Sequence, residues 1–356
     1  MFTTAKLSNS STGGWLTMAS QHAIFSRRDI LNILGLDIGY SNLKVAHGIK
    51  DENHKTVLRP AGAAPADRFG SRFDGKTHED YIHVLVDGQE FVAGVSPDRA
   101  EMWGRALHAD YVTSQSYKAL FHAGLLLSEM DTIDVLVTGL PVSQFMDEVR
   151  KAALIEQVKG VHQVTPKRSV EIKRVKVVPQ PIGGLLDYIS QNENDADIED
   201  ARILVIDPGF FSVDWLVVAN NDFHRQSSGT SLNASSVVFE ETSKLIAKDH
   251  GCQISTEMLE NAVRSDKRSV LVFGQRVEID PYINAAAKTV SAVVIEAIQK
   301  SLRTENKEVD RVVLVGGGAE FFRDAVSGAF PRVQVAIPDE SVFSNARGFW
   351  LMGASM

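Results

Sequence analysis

Residues 33–46 read Ile33-Leu34-Gly35-Leu36-Asp37-Ile38-Gly39-Tyr40-Ser41-Asn42-Leu43-Lys44-Val45-Ala46. The apolar run that ends at Asp37 and Ile38 is typical of a buried strand, and Leu43 begins a second short strand. Gly39 lies between them, where a tight turn favours a residue without a side chain. The stretch therefore predicts a strand, an Asp-x-Gly turn and a returning strand.

The same arrangement recurs in the second half of the chain. Ile203-Leu204-Val205-Ile206-Asp207 predicts a strand, Pro208-Gly209 a turn, and residues 213–218 a returning strand. Each half then continues with alternating predicted helices and strands, as α/β domains do. Such internal repetition predicts two related α/β lobes.

Length and charge fit this interpretation and exclude several classes of protein. The chain has 356 residues, enough for two domains, with 37 Lys and Arg against 45 Asp and Glu. Its net charge of -8 argues against direct binding to nucleic acid, which needs clustered basic residues. One cysteine excludes a disulfide framework and a Cys-rich zinc site. No apolar run reaches the roughly 20 residues of a membrane span, so we expect a cytoplasmic protein without membrane contact.

Helical spacing and capping residues predict helices between the strands. Residues 1–32 lack such a pattern, and we expect a disordered extension there. Thr113 is the expected N-cap of the first helix, and Pro281 suits the first turn of a long one. The predicted helices are 113–130, one after Pro141, 182–190, 234–249, 255–264, one from Pro281, one from Ala319, and 343–352.

Both Asp-x-Gly turns have the composition of a phosphate-binding site. A turn with glycine at its apex brings backbone amides close to a ligand, and such amides hold phosphate oxygens. In the first turn, Ser41 and Asn42 add side-chain donors and Lys44 adds a cation. In the second turn, Ser212 adds a hydroxyl.

Two aspartates occupy the ends of the predicted buried strands. An uncompensated carboxylate is costly there, and a hydrated Mg²⁺ between Asp37 and Asp207 would justify both. Either turn alone could be purely structural, but the pair, one per lobe, indicates a metal site. Asp214 is open to two interpretations: a carboxylate that supports the site, or a paired strand residue.

A glycine-rich turn, Gly316-Gly317-Gly318, follows a predicted strand and precedes a predicted helix. This placement suits a phosphate or ribose near a helix N-terminus, although such turns also serve packing. A dinucleotide-binding fingerprint would need glycine where Phe321 stands, and the chain contains no G-x-x-x-x-G-K-[ST] loop. These two nucleotide-binding classes are therefore disfavoured.

Five segments of the chain, in the order in which they occur, resemble motifs of the actin-like ATPase superfamily. They are most similar to those of the plasmid-segregation actins of the ParM/StbA type. The segment 207–215 is also similar to the StbA-like proteins D of the PRTRC gene cassette. The resemblance spans residues 33–356. The matching segments are Leu36 to Lys44, Val137-Thr138-Gly139-Leu140-Pro141, Val177-Val178-Pro179-Gln180-Pro181, Ile206 to Asp214, and Val313 to Glu320.

The resemblance implies an actin-like α/β fold, ribonuclease H-like and duplicated, with an ATP cleft between two lobes. The lobes would be residues 33–198 and 199–340, with a C-terminal helix, 341–356, returning to the first lobe. Asp37 and Asp207 would hold Mg²⁺, and Gln180 would orient the attacking water, with Asp207 also catalytic. The implied nucleotide-binding positions are Asp37, Gly39, Tyr40, Ser41, Asn42, Lys44, Gly209, Phe210, Ser212, Asp214, Gly316, Gly317 and Gly318.

Two residues depart from the family pattern. The second turn normally reads Asp-x-Gly-Gly-x-Thr-x-Asp, whereas here Phe210 and Phe211 replace the second glycine and its neighbour. With the side chain of Phe210 outward, the amides of Gly209 and Phe210 could still bind phosphate. With the side chain of Phe210 pointing inward, the pocket for the γ-phosphate would be narrower, and this would impair ATP hydrolysis more than nucleotide binding.

The resemblance thus implies a slow ATPase that forms head-to-tail filaments with copies of itself and segregates DNA through an adaptor protein. Two alternatives remain open. One is a scaffold gated by nucleotide binding that does not hydrolyse ATP. The other is a small-molecule kinase of the same superfamily, for which the sequence offers no clear acid–base residue.

Overall fold

The computed structural model describes residues 30–70, 80–99 and 110–356. Residues 1–29 of the predicted extension lie outside the described residues. The described helices are α1 (Gln115–Leu127), α2 (Val142–Phe145), α3 (Glu148–Val158), α4 (Gln180–Gln191), α5 (Ser235–His250), α6 (Thr256–Arg264), α7 (Asp280–Arg303), α8 (Ala319–Ala329) and α9 (Ser344–Ala354). The described strands of the first half are β1 (Asn32–Ile38), β2 (Asn42–Ile49), β3 (Lys55–Pro60), β4 (Gly62–Pro65), β5 (Ile82–Val86), β6 (Gln89–Val95), β7 (Thr132–Leu140), β8 (Gly160–Thr165) and β9 (Arg168–Pro179). Those of the second half are β10 (Ile203–Pro208), β11 (Val213–Ala219), β12 (Asp222–Phe223), β13 (Gly229–Ser231), β14 (Ser269–Val272), β15 (Gln275–Glu278), β16 (Arg311–Leu314) and β17 (Gln334–Ala336).

The first sheet is built around β1. Its strand order is β3-β2-β1-β7-β9-β8, with β1 antiparallel to β2 and parallel to β7. Apolar residues of β1 are fully buried because the sheet is covered on both faces, by α1 on one side and α9 on the other. In this register Asp37 lies opposite Lys44, and the predicted strand–turn–strand is confirmed.

The second sheet repeats the plan around β10. Its order is β12-β11-β10-β16-β17, with β10 antiparallel to β11 and parallel to β16. Asp207 therefore lies opposite Asp214, as Asp37 lies opposite Lys44 in the first sheet. The amide of Gly39 donates to the carbonyl of Asn42 at 3.0 Å, and that of Gly209 to the carbonyl of Ser212 at 2.8 Å. The internal repeat thus extends to the hydrogen bonding of the turns.

Two smaller sheets flank these. Strands β4, β6 and β5 form a three-stranded sheet next to α1, and β14 and β15 form a hairpin that packs with α6. Apolar side chains of β14, β15, α5, α6 and α7 make a separate core in the second lobe. Among the described residues, no helix is both long and apolar enough to cross a bilayer.

Helices α4 and α9 lie between the two large sheets and touch each other closely. A side chain on Gly348 would overlap the backbone of Gly183, and one on Gly183 would overlap the carbonyl of Asn345. The helix backbones are therefore in direct contact at this crossing. Because α4 begins at Gln180 and α9 carries Asn345, this contact also fixes two residues of the cleft described below.

Some predicted elements need correction. The first helix is capped by Ser114, whose Oγ accepts from the amide of Tyr117, and Thr113 lies in the preceding turn of 3₁₀ helix. Strand β3 was not predicted, because its polar, partly exposed residues lack the alternation of a buried strand. Strands β8 and β17 were missed for the same reason, since both are short and exposed at a sheet edge.

Candidate functional site

The two Asp-x-Gly turns meet across a cleft between the two large sheets. The cleft encloses a cavity of 310 Å³, within the range of small-molecule sites. Residues 37–42 and Lys44 line it from the first lobe, and 207–212 line it from the second. Gly317 and Gly318 close one side and Gln180 another, so most of the predicted nucleotide-binding positions lie on one cavity.

Asp37 ends β1 and is buried, with 2% of its surface exposed. Its carboxylate accepts from Lys44 Nζ at 2.8 Å and from Gln180 Nε2 at 3.1 Å. The antiparallel register places Lys44 opposite Asp37, and α4 presents Gln180 from its first residue. Lys44 is therefore an ion-pair partner of Asp37 in this structure, as well as a cation on the cavity wall.

Asp207 ends β10 in the same way and is also buried. It accepts a hydrogen bond from Asn345 Nδ2 at 2.7 Å. Burial, followed by the negative charge of Asp37, raises the pKa of Asp207 from 3.8 to about 7. Gly316 has a φ of +78° and lies against Asp207, where a side chain would overlap its carboxylate. Gly316 does not line the cavity, and it shapes the site by packing against Asp207.

The two carboxylates fit a divalent cation. Burial and the negative charge of Asp37 raise the pKa of Asp207, and Asn345 and Lys44 act in the opposite direction. Among the described residues no group of three or more His, Cys, Asp or Glu could hold a metal. A pair of carboxylates suits Mg²⁺, which keeps several waters and is bound by one or two carboxylates with substrate phosphates.

Unsatisfied polar atoms on the cavity wall fit a polar ligand. Asn42 Oδ1, Gln144 Oε1 and Ser235 Oγ are buried without a hydrogen-bond partner, and all three residues line the cavity. Buried polar atoms without partners are uncommon in folded proteins, and several around one cavity indicate a ligand or ordered water. Of these three, only Asn42 was among the predicted positions.

The glycine amides behave differently from the prediction. Those of Gly39 and Gly209 donate within their own turns, and that of Gly318 donates to the carbonyl of Pro208 at 3.0 Å. Each of these amides therefore already has an acceptor. The glycines allow the turns and the start of α8 to pack closely, because a side chain on Gly318 would overlap Pro208.

Asp214 does not line the cavity. It is buried and accepts from Ser212 Oγ at 2.7 Å, from Thr230 Oγ1 at 2.6 Å and from the amide of Val142 at 2.7 Å. Burial raises its pKa although these three donors oppose the shift. Of the two interpretations left open, Asp214 is therefore a supporting carboxylate: it fixes the hydroxyl of Ser212 on the cavity wall and ties the second lobe to α2.

The two phenylalanines of the second turn point to different neighbours. Phe210 packs towards Phe239 of α5, with ring centroids 6.2 Å apart. Phe211 instead stacks on Tyr40 of the first turn, with ring centroids 4.4 Å apart. Both phenylalanines line the cavity. Phe211 thus stacks on the first turn from across the cleft.

Besides Gln144 and Ser235, sequence reasoning missed polar cavity residues on α6 and α9. Glu260 of α6 is 5% exposed and accepts from Ser41 Oγ and from Arg264. Glu260 and Arg264 have the i, i+4 spacing of an ordinary ion pair on a helix surface, so the sequence does not indicate that they line a cavity. Asn345 was also missed, because Ser344 and Arg347 stand near it in the sequence and nothing there distinguishes it from an ordinary polar residue of a helix.

Asp207 makes the stability of the ligand-free protein depend on pH. Because the pKa of Asp207 is raised in the folded state, its contribution to the free energy of unfolding is fully present below about pH 4. This contribution is lost as the pH rises to about 7. His47, His54, His122 and His162 have lowered pKa values and act in the opposite direction. We therefore expect the difference in unfolding free energy between Asp207→Asn and wild type to grow from about pH 4 to 7, reaching on the order of 3 kcal/mol. Urea denaturation at several pH values measures this difference, and a flat difference would contradict it.

Two family models match the chain in series. The model "Actin like proteins N terminal domain" matches residues 35–183, and "Archaeal actin homologue MreB-like, C-terminal" matches residues 205–328. An archaeal actin homologue of Thermoplasma volcanium is 24% identical over 333 residues, covering 89% of this chain and 97% of the relative. The homologue of Thermoplasma acidophilum gives the same values.

Solved structures agree with these matches. The crystal structure of Ta0583, an archaeal actin homologue, superposes with a TM-score of 0.72 at 22% identity, over 92% of this chain and all of that one. Its complex with ADP gives a TM-score of 0.70. A subunit of the 15-stranded ParM filament from Clostridium botulinum gives 0.70 at 18% identity, with 92% and 100% coverage. The predicted actin-like two-lobe α/β fold is thereby confirmed.

Proposed function

We infer that this chain, which belongs to the actin-like superfamily, binds ATP and Mg²⁺ between its lobes, hydrolyses the ATP slowly and polymerises into filaments. One observation carries the inference: two buried carboxylates, Asp37 and Asp207, lie at the same position of two repeated turns on one cavity. A cation between them would offset the cost of burying both charges. The complex of a structural neighbour with ADP is consistent with a nucleotide in this cleft.

The chain supplies positioning rather than acid–base chemistry. Asp37 and Asp207 would hold Mg²⁺, which when bound neutralises phosphate charge. Lys44 adds a positive charge beside Asp37, and the side-chain amide of Asn42 lies on the cavity wall. The hydroxyls of Ser41 and Ser212 also line the cavity, but each already donates to a carboxylate, Glu260 or Asp214. Such preorganised groups account for most of the catalysis of phosphoryl transfer.

In this proposal Gln180 orients the attacking water. Its amide is fixed by the hydrogen bond to Asp37, and its backbone is fixed as the first residue of α4. An amide is a poor base, so Gln180 would act by holding a water in line rather than by taking its proton. This role predicts slow hydrolysis.

We expect Gln180→Ala to lower phosphate release about 10- to 100-fold, since it removes positioning without removing a charge. Affinity for a fluorescent ATP analogue should change less than about 3-fold, and filaments should persist longer. Gln163→Ala, at an exposed position of β8, is the matched control and should leave both quantities unchanged. Equal losses of binding and hydrolysis would contradict a positioning role.

Self-assembly follows from the family rather than from one residue type. Filaments of a structural neighbour, the ParM of Clostridium botulinum, support it. A head-to-tail contact that does not close generates a filament, so an asymmetric two-lobe subunit suffices. The plasmid-segregation role, and the likeness to the StbA-like protein D of the PRTRC cassette, remain part of the proposal. With a net charge of -8, the chain would reach DNA through an adaptor protein.

A gated scaffold that binds nucleotide without hydrolysing it is the second candidate. The observation in its favour is the contact between Phe211 and Tyr40, which places two aromatic rings between the phosphate turns. Phosphate release decides between the two functions, because the scaffold would bind Mg-ATP and release no phosphate.

A further inference from the structure

We propose that Tyr40, Tyr111 and Phe211 form an aromatic clasp that holds the two turns together and controls how fast nucleotide leaves the cleft. The proposal rests on the nucleotide site proposed above. It assigns a positioning role to Phe211, which departs from the family pattern, since the second turn usually carries small residues at the position of Phe211.

The clasp is a continuous stack across the cleft. Tyr40 stands between the other two rings: its centroid is 4.4 Å from that of Phe211, with an interplanar angle of 30°, and 4.4 Å from that of Tyr111, with an angle of 27°. Stacked aromatic pairs at this distance attract each other beyond the apolar area that they bury. Phe211 belongs to the second lobe and the other two rings to the first, so the stack joins the lobes.

The first-lobe end of the stack is buried against α1. Tyr111 is 4% exposed and meets Tyr117 of α1 edge-on, with ring centroids 5.4 Å apart. Tyr117 is itself buried in the core of the first lobe. Tyr40 is thus supported from behind, and Phe211 is the ring that must move when the lobes separate.

Polar contacts also join the first turn to the second lobe at Ser41, the residue after Tyr40. Ser41 Oγ donates to Glu260, and Arg264 donates to the carbonyl and hydroxyl oxygens of Ser41. Ser96 Oγ also donates to Asn261 at 2.9 Å. Since α6 belongs to the second lobe, the first turn is held by second-lobe residues at two consecutive positions.

These contacts lie on the wall of the cavity. Tyr40, Tyr111 and Phe211 all line it, as do Ser41 and Glu260. In this proposal a nucleotide leaves the cleft as the lobes move apart, and such a movement would break the stack between Tyr40 and Phe211. The stack therefore adds to the barrier for release. An aromatic pair of this kind corresponds to about a 2- to 10-fold effect on a rate.

Release of a fluorescent ADP analogue from the full-length protein, chased with excess ADP in a stopped-flow instrument, tests the clasp. We expect Phe211→Ala to speed release by about 10-fold, and Phe211→Leu by a smaller factor because it keeps apolar bulk without a ring. Phe211→Tyr keeps an aromatic ring in the stack and should release the analogue more slowly than Phe211→Ala and Phe211→Leu. Phe273→Ala removes an aromatic ring that is 80% exposed on the β14–β15 turn and should change nothing.

A double substitution separates the stack from unrelated effects. If Tyr40 and Phe211 act on each other, Tyr40→Ala combined with Phe211→Ala should release no faster than the faster single variant. Multiplicative effects of the two substitutions would overturn the clasp. Unchanged release from both Phe211→Ala and Phe211→Leu would overturn it as well.

Hydrogen exchange of the ligand-free protein distinguishes failure of the clasp from failure of the nucleotide site. Phe211→Ala should speed amide exchange in both turns, residues 38–42 and 207–212, whereas Phe273→Ala should not. If wild type binds no ADP analogue, the proposed function fails and control of nucleotide release fails with it; faster exchange in Phe211→Ala would then show only that the stack holds the two turns together. If the analogue binds and neither release nor exchange responds to Phe211→Ala, the clasp fails and the nucleotide site stands.

Discussion

Asp207→Asn is expected to lower Mg-ATP-dependent phosphate release by about 100-fold or more, the scale seen when one group that stabilises charge is removed from an active site. The substitution keeps shape and volume. The amide oxygen can still accept from Asn345, so the local hydrogen bond survives. What is lost is the negative charge facing Asp37, which the proposed function assigns to holding Mg²⁺.

The same substitution should stabilise the ligand-free protein near neutral pH, because it removes a buried charge whose pKa is raised to about 7. Loss of activity together with a gain of stability cannot come from misfolding. Asp222→Asn, at an exposed residue of β12, is the matched control and should alter neither property. Wild-type phosphate release from Asp207→Asn would remove Asp207 from the mechanism.

Gly348→Val is expected to cause the largest loss of stability, about 3–5 kcal/mol or a failure to fold. A side chain at this position would overlap the backbone carbonyl of Gly183, and neither helix can move without displacing the sheets on both sides. The variant should also impair the cleft, because α4 carries Gln180 and α9 carries Asn345.

Gly328→Ala provides the matched control. Gly328 lies in α8, and a side chain there would meet no atom within 4 Å. Alanine at an open helical position should be neutral or stabilise by less than about 1 kcal/mol. Urea denaturation followed by circular dichroism measures both variants. A loss below about 1 kcal/mol for Gly348→Val would show that the α4–α9 crossing can relax.

The sequence was informative where buried strands end in tight turns. Strands β1 and β10 are continuous apolar runs, and the Asp-x-Gly turns that follow them need a particular backbone conformation. The strand and the turn could therefore both be predicted from one short segment. This determined the two lobes and brought Asp37, Asp207 and Lys44 to the cleft. Gln180 followed from the resemblance, and its hydrogen bond to Asp37 places it there.

The remaining features depend on contacts between segments far apart in the chain. Asn345 reaches Asp207 only after α9 has packed between the sheets, and Glu260 meets Ser41 only after the lobes have closed. The use of glycine amides within the turns was equally invisible, because a glycine permits a turn without specifying the acceptor of its amide. Phe211 stood out as a departure from the family pattern, but its partner Tyr40 appeared only in the structure.

Light scattering recorded together with phosphate release, on the purified full-length protein in Mg-ATP and in Mg-ADP, tests the proposed function most directly. We predict scattering that rises in Mg-ATP and not in Mg-ADP, followed by slower phosphate release. Absence of scattering at every concentration tested would contradict self-assembly, and ATP binding without phosphate release would make the gated scaffold the better account.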